Sequence, residues 1–297
     1  MSVCRLCPRE CKVDREKSLG VCGAGSKIKI AKYMLHMWEE PCISGNGGSG
    51  AIFFSHCPLK CVYCQNTDIS HGGNGYEVSE DELGEIMLKL QSQGAHNINL
   101  VTPTHYSDKI KRVLDKYRDR IKIPIVYNTS GYEKSEIIDT LKGYVDIFLC
   151  DIKYFSPEIS GKYSLASDYY EKALASLKSM VKIAPECEFD SDGIMKKGVI
   201  VRHLVLPSQR LDSIKILEDV AKNVDISKIK LSLMSQYTPE FYCGDDKALK
   251  RRVTTFEYQS VTERAIELGY DGYIQDKASA TKIYTPDFSG KRRNDEN

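Results

Sequence analysis

Six short apolar runs constrain this chain most: AIFFSH (51–56), INLVTP (98–103), IPIVYNTS (123–130), VDIFLCDIK (145–153), GVIVRHLVLP (198–207) and KIKLSLMSQY (228–237). Helix-patterned stretches separate them. In SEDELGEIMLKLQSQG, Ser79 and Glu82 form a capping box, Leu83, Ile86, Met87 and Leu90 share a face, and Gly94 ends the pattern. Strand followed by helix, repeated, gives parallel strands joined by right-handed crossovers. The alternation alone allows an open doubly wound sheet or a barrel. In either, reactive groups gather at the carboxyl ends of the strands.

Those ends are polar. Cys57, Cys61 and Cys64 follow the first run, Thr102 to His105 end the second, and Asn128, Thr129 and Ser130 close the third. Asp151 and Lys153 end the fourth, Arg202 lies in the fifth, and Ser235 and Gln236 finish the sixth. Asp151 and Lys153 are two apart and share one strand face, either as a structural ion pair or as part of a site. His56 and His105 fall near the expected mouth, within reach of a substrate, whereas His203 points away from Arg202 and is expected to pack under helices.

Composition limits what such a site serves. With 42 Lys+Arg against 41 Asp+Glu over 297 residues, no bulk field favours nucleic acid, a membrane surface or an acidic substrate. No apolar run is long enough to span a bilayer, and the first twenty residues lack an apolar leader, so a cytoplasmic protein is expected. Eleven cysteines in that compartment argue for metal ligation rather than disulfides. The chain divides into a cysteine-rich segment at 1–44, the βα region at 45–285 and a polar tail at 286–297. GNGGSG (45–50) lacks the Lys-Ser/Thr of a phosphate loop and is read as a turn into the first strand.

Residues 55–66, SHCPLKCVYCQN, place three thiols at C-x3-C-x2-C directly after a strand. Zinc or inert burial is one reading; the other is a [4Fe–4S] cube whose fourth iron is left for a small chelating ligand. Upstream, Cys4, Cys7, Cys11 and Cys22 form a second candidate metal set, for zinc or for a fully ligated iron–sulfur cluster. Cys42, Cys150, Cys187 and Cys243 stand singly and are expected to pack in the core.

CPLKCVYC resembles the loop of the radical S-adenosylmethionine (radical SAM) superfamily, C-x3-C-x-aromatic-C, with Tyr63 as the aromatic. Across 45–285 the resemblance implies a partial (β/α)6 barrel of the TIM type. FFSHCPLKCVYCQN, LCDIK and VRHLVLP are similar to the branch of the pyruvate formate-lyase activating enzymes, in a subgroup marked by CRLCPREC, MWEEPCISG and VTPTHY. The resemblance implies that Cys57, Cys61 and Cys64 hold a [4Fe–4S] cluster and that Tyr63 packs on the adenine of S-adenosylmethionine. It implies that Asn128 and Thr129 lie near the ribose, and that Asp151, Lys153 and Arg202 surround the methionine moiety. VTPTHY replaces the Gly-Gly-Glu stretch that receives the methionine amino group in most relatives, leaving Thr102 with weaker polar contacts. Asn128 replaces a carboxylate of a cation site, so no cation is expected.

The implied chemistry is reductive cleavage of S-adenosylmethionine to a 5′-deoxyadenosyl radical that abstracts hydrogen, with the barrel mouth closed by substrate or by the N-terminal segment. The implied substrate is a glycyl radical enzyme, and the implied electron donor a flavodoxin or ferredoxin. The four-cysteine segment favours a peptide or small-molecule substrate instead. A non-enzymatic iron–sulfur or zinc protein is the alternative from another class.

Overall fold

Each of the six apolar runs becomes a strand in the computed structural model, which describes residues 3–242, 244–275 and 286–288. In chain order the strands are β1 (Ile28–His36), β2 (Ser49–Phe54), β3 (Tyr76–Val78), β4 (Ile98–Val101) and β5 (Ile125–Thr129). They continue with β6 (Ile147–Asp151), β7 (Glu188–Phe189), β8 (Met195–Leu204), β9 (Ile229–Met234) and β10 (Gly272–Ile274). The helices are α1 (Pro41–Ser44), α2 (Thr67–Ser70), α3 (Glu80–Ser92), α4 (Ser107–Tyr117) and α5 (Ser135–Asp139). After them come α6 (Pro157–Ser164), α7 (Tyr169–Ile183), α8 (Arg210–Asn223) and α9 (Thr255–Glu267).

The strands β2, β4, β5, β6, β8, β9 and β10 lie side by side, every neighbouring pair parallel and every step in chain order. Beyond β2 the sheet continues with β1 and then β3, both pairings antiparallel. Among the described residues the ends β10 and β3 do not meet, so the sheet is an open arc, the partial barrel expected. β1 falls inside the stretch 1–44 and yet joins this sheet; Ile28 and Ile30 are buried beneath α3 while the middle of the strand is half-exposed. The box of Ser79 and Glu82 caps α3 as its sequence requires. The glycine run passes from α1 into β2, as a turn.

Alternation along each strand separates two faces. Tyr127, Phe148, Cys150, Val199 and Val201 face the helices and belong to the large core. Val126, Ile147, Leu149 and Ile200 face inward, where Cys42, Ile43 and Met195 plug the floor of the arc. Continuing two residues toward the carboxyl ends on this inner face, Val126 gives way to Asn128, Leu149 to Asp151 and Ile200 to Arg202. A polar ring therefore sits on an apolar floor. Cys42 and Cys150 are buried and Cys187 packs against the floor cluster, while Cys243 lies outside the described residues, as does the tail beyond 288. Among the described residues no helix is long and apolar enough to cross a membrane.

Candidate active site

The loop after β2 carries the three thiols in a strained path. His56 and Lys60 have φ of 77° and 49°, the left-handed region that residues other than glycine seldom enter, and each immediately precedes a cysteine. Hydrogen bonds then fix the sulfurs. Cys57 Sγ accepts from the Leu59 N–H at 3.4 Å, Cys61 Sγ from the Ser164 hydroxyl at 3.0 Å, and Cys64 Sγ from the Ser70 hydroxyl at 3.3 Å. The Ser164 hydroxyl is 2.7 Å from Tyr154 Oη, which is 2.6 Å from Tyr63 Oη, so a chain of hydroxyls links Tyr63 to Cys61. The Tyr63 ring is held by the edges of Tyr154, Tyr163 and Tyr237.

These thiols border a cavity of about 240 Å³ at the carboxyl ends of the strands. Tyr63, Thr102, Asn128, Thr129, Asp151, Lys153 and Arg202 line it as well, so the residues that the resemblance implied for the cosubstrate border one space. Arg202 is the hub of its polar wall. Its Nε donates to Asp151 at 2.8 Å, its Nη2 to Asn128 Oδ1 at 2.6 Å, and its Nη1 to Glu39 at 3.2 Å. Lys153 Nζ donates to the other Asp151 oxygen at 2.6 Å. Burial alone would raise the Asp151 carboxyl, but Arg202 and Lys153 outweigh it and hold it below the usual carboxylate range. Burial would likewise lower Lys153, and Asp151 reverses that.

Two carboxylates here escaped the sequence reading. Glu39, in the loop between β1 and α1, lines the cavity and accepts from Asn99 at 3.0 Å and Asn128 at 3.3 Å. Its only signal was the stretch MWEEPCISG. Glu133 lies behind the strand ends, 1% exposed, and accepts from the hydroxyls of Thr104 at 2.6 Å and Thr129 at 2.5 Å. Burial outweighs these bonds and lifts its carboxyl to about 7.

The expectation that His105 faces the mouth needs correction: a 3-10 turn over Thr104–Tyr106 swings its ring under the N-terminal segment, 2.7 Å from the Ser55 carbonyl, and it does not line the cavity. His56 is also absent from the lining. His203 is buried on the outer face with Nδ1 on the Ile152 carbonyl at 2.6 Å, as its place opposite Arg202 requires. From the stretch 1–44, His36, Trp38 and Glu39 line one flank of the cavity, and among the described residues before them none does. Cys4, Cys7, Cys11 and Cys22 come together instead around a separate small pocket.

The three thiols of the loop suit a cluster. Burial, with the repulsion of the neighbouring Cys61 and Cys64 added to it, pushes the Cys57 thiol up to about 12, and a bound cationic core relieves both effects. Among the described residues no three Cys, His, Asp or Glu side chains converge as a single ion demands. Three thiols bordering one cavity suit three iron corners of a cube.

Comparison with known proteins agrees. The model of the radical SAM superfamily matches residues 51–195. An uncharacterized protein of Methanocaldococcus jannaschii is 30% identical over 282 residues, covering 90% of this chain and 75% of that protein. The pyruvate formate-lyase-activating enzyme of Clostridium pasteurianum is 24% identical over 205 residues, 64% of this chain and 76% of that enzyme. Among solved structures, Streptococcus suis SuiB bound to precursor peptide SuiA shares the fold with a TM-score of 0.51 at 12% identity, over 75% of this chain and 48% of that one. This chain thus spans about half the length of the solved structure it matches. Loop, open parallel arc and sequence relatives lead to one conclusion: the chain belongs to the radical SAM superfamily.

Proposed function

We propose that this chain is an enzyme that holds a [4Fe–4S] cluster on Cys57, Cys61 and Cys64 and binds S-adenosylmethionine in the adjoining cavity. Family membership implies both groups. Bound together, they supply one-electron cleavage of the sulfonium to methionine and a 5′-deoxyadenosyl radical that takes a hydrogen atom from a substrate C–H bond. The observation that carries the reading is the meeting of three thiols with the Asp151, Lys153, Arg202 and Glu39 network around one cavity.

The chain's own residues position and shield. Arg202 and Lys153 present cations to the methionine carboxylate, and Asp151 and Glu39 present carboxylates to its amino group. Glu39, held by Asn99 of β4, stands in for the acid missing from VTPTHY, while Thr102 offers only a polar contact. Asn128 and Thr129 serve the ribose and Tyr63 the adenine. The apolar floor below the polar ring keeps water out from beneath, which a reactive radical requires.

The substrate we propose is a glycyl residue of a partner protein, with a flavodoxin or ferredoxin as electron donor. Support comes from the likeness to the Clostridium pasteurianum activating enzyme. Modification of a peptide is the second reading, favoured by the four-cysteine segment docked beside the cysteine loop. Anaerobically reconstituted protein, reduced in the presence of S-adenosylmethionine, should form 5′-deoxyadenosine, and Cys61→Ala should abolish it. No deoxyadenosine from protein that carries the cluster would sink the enzymatic reading. An electron paramagnetic resonance doublet on a partner protein separates the glycyl reading from the peptide one.

A further inference from the structure

Four thiols that the proposed activity does not use form a site of their own. Cys4, Cys7, Cys11 and Cys22 line one pocket with Arg15 and His105, and about 10 Å³ stays open between them. No helix or strand builds this segment; the backbone folds through the Cys4 N–H on the Val13 carbonyl at 2.9 Å and the Lys12 N–H on the Cys4 carbonyl at 3.0 Å. Two sulfurs already accept hydrogen bonds, Cys11 from the Val21 N–H at 3.3 Å and Cys22 from the Ala24 N–H at 3.4 Å, and such bonds strengthen when the sulfur carries charge. A Cβ on Gly20 would lie 2.9 Å from Cys11 Sγ, so only glycine lets the chain pass this close.

Two side chains on the pocket wall keep buried polar atoms without partners among the described residues. Arg15 Nη1 donates to the His105 carbonyl at 2.5 Å, but Arg15 Nε and Nη2 are buried and bond to nothing among the described residues. His105 Nδ1 is in the same state, on a side chain only 2% exposed. Buried donors of a permanent cation left unsatisfied are costly, and an anionic centre in the pocket would satisfy them. Four thiolates around a metal core are such a centre. Here backbone N–H groups donate to Cys11 and Cys22 as one does to Cys57 in the cysteine loop, the kind of bond to sulfur that tunes an iron–sulfur cluster.

We infer that Cys4, Cys7, Cys11 and Cys22 hold a second [4Fe–4S] cluster, closed to further ligands by its four thiolates, with Arg15 as its buried counter-cation. Each thiol loses its proton to solvent as its Fe–S bond forms, and the core keeps its oxidation state. The second centre adjoins the first. His105 Nε2 meets the Ser55 carbonyl at 2.7 Å, and a Cβ on Gly23 would lie 3.3 Å from His56 Nδ1. Arg9 clamps the same loop, its Nε on the Pro58 carbonyl at 3.0 Å and its Nη2 on the Ser164 carbonyl at 2.8 Å. An electron from a ferredoxin-class donor could pass through this centre to the cluster at Cys57. The existence of the second cluster does not depend on the proposed activity.

The test uses the full chain carrying Cys57→Ala, Cys61→Ala and Cys64→Ala, reconstituted anaerobically with iron, sulfide and equimolar zinc. About four irons and four sulfides per chain are expected, as one cube requires, with a reduced-state paramagnetic signal that S-adenosylmethionine does not alter. One zinc without sulfide, or no metal, overturns the inference. Should that variant fail to fold, the unmutated protein decides: about eight irons, falling to about four in Cys7→Ala/Cys22→Ala, supports two cubes, and about four from the outset refutes them. Arg15→Met should move the second cluster's midpoint potential negative, because the reduced, more anionic core loses its cation; an unchanged potential overturns the assignment of Arg15.

Discussion

Replacing Arg202 with methionine tests whether the polar wall behaves as one electrostatic unit. The guanidinium makes its three bonds to Asp151, Asn128 and Glu39 with side chains of Arg202, Asp151 and Glu39 only 14%, 13% and 11% exposed. Asp151 keeps Lys153 after the change, but Glu39 keeps only two amides. Removing one partner of a buried ion pair costs roughly 3–5 kcal/mol, because the remaining charge stays desolvated. At about 2–3 °C per kcal/mol for a chain of this size, the melting temperature should fall by on the order of 10 °C. Burial already raises the Glu39 carboxyl against the pull of Arg202, and without that cation it rises further. Folded protein then binds a proton that unfolded protein releases, so the deficit should shrink as pH falls from 8 to 6. Glu39→Gln combined with Arg202→Met should recover part of the loss. Denaturant melts of the unmutated protein and the two variants at both pH values measure this. A loss under about 1 kcal/mol, or one that neither acid nor the second substitution moderates, would refute the reasoning.

Thr102 is β-branched yet has φ of 59°, a conformation that costs on the order of 1–3 kcal/mol. Thr102→Gly should therefore raise stability by about 1 kcal/mol after the entropy of glycine is subtracted, whereas Thr102→Val should not; a clear loss in the glycine variant removes the strain argument. Ser164→Ala deletes the hydroxyl on Cys61 Sγ and should shift the first cluster's potential negative, since hydrogen bonds to sulfur favour the reduced core; a redox titration showing no shift contradicts it. Glu133, at about 7 when folded against about 4.5 in solution, is a raised group. Its contribution is complete below about 4.5 and lost as pH climbs through 7, at most about 3 kcal/mol over the range. Glu133→Gln should abolish that fall between pH 5 and 8, and melts in which both proteins slope alike would exclude it.

The sequence showed the parts that repeat and missed those that depend on distant packing. The apolar runs and the polar residues at their ends were readable because parallel strands buried on both faces leave long apolar stretches and put chemistry at one end. β1 went unnoticed because its half-exposed middle breaks any simple alternation. Glu39 reaches Arg202 across 163 positions, and no local pattern announces such a contact. His105 was misplaced because a single 3-10 turn rotates it off the strand axis, a deflection that spacing does not encode.

Strand order in the arc has a consequence for how the molecule assembles. With the parallel strands laid down in chain order, each βα unit leaving the ribosome finds its neighbour already in place, and little loop entropy stands against its docking. The contacts of Arg9 with Ser164 and of Glu39 with Arg202 are different, spanning 155 and 163 positions. They tie residues made before the arc to residues near its far end, so these two clasps close only after most of the parallel strands are in place.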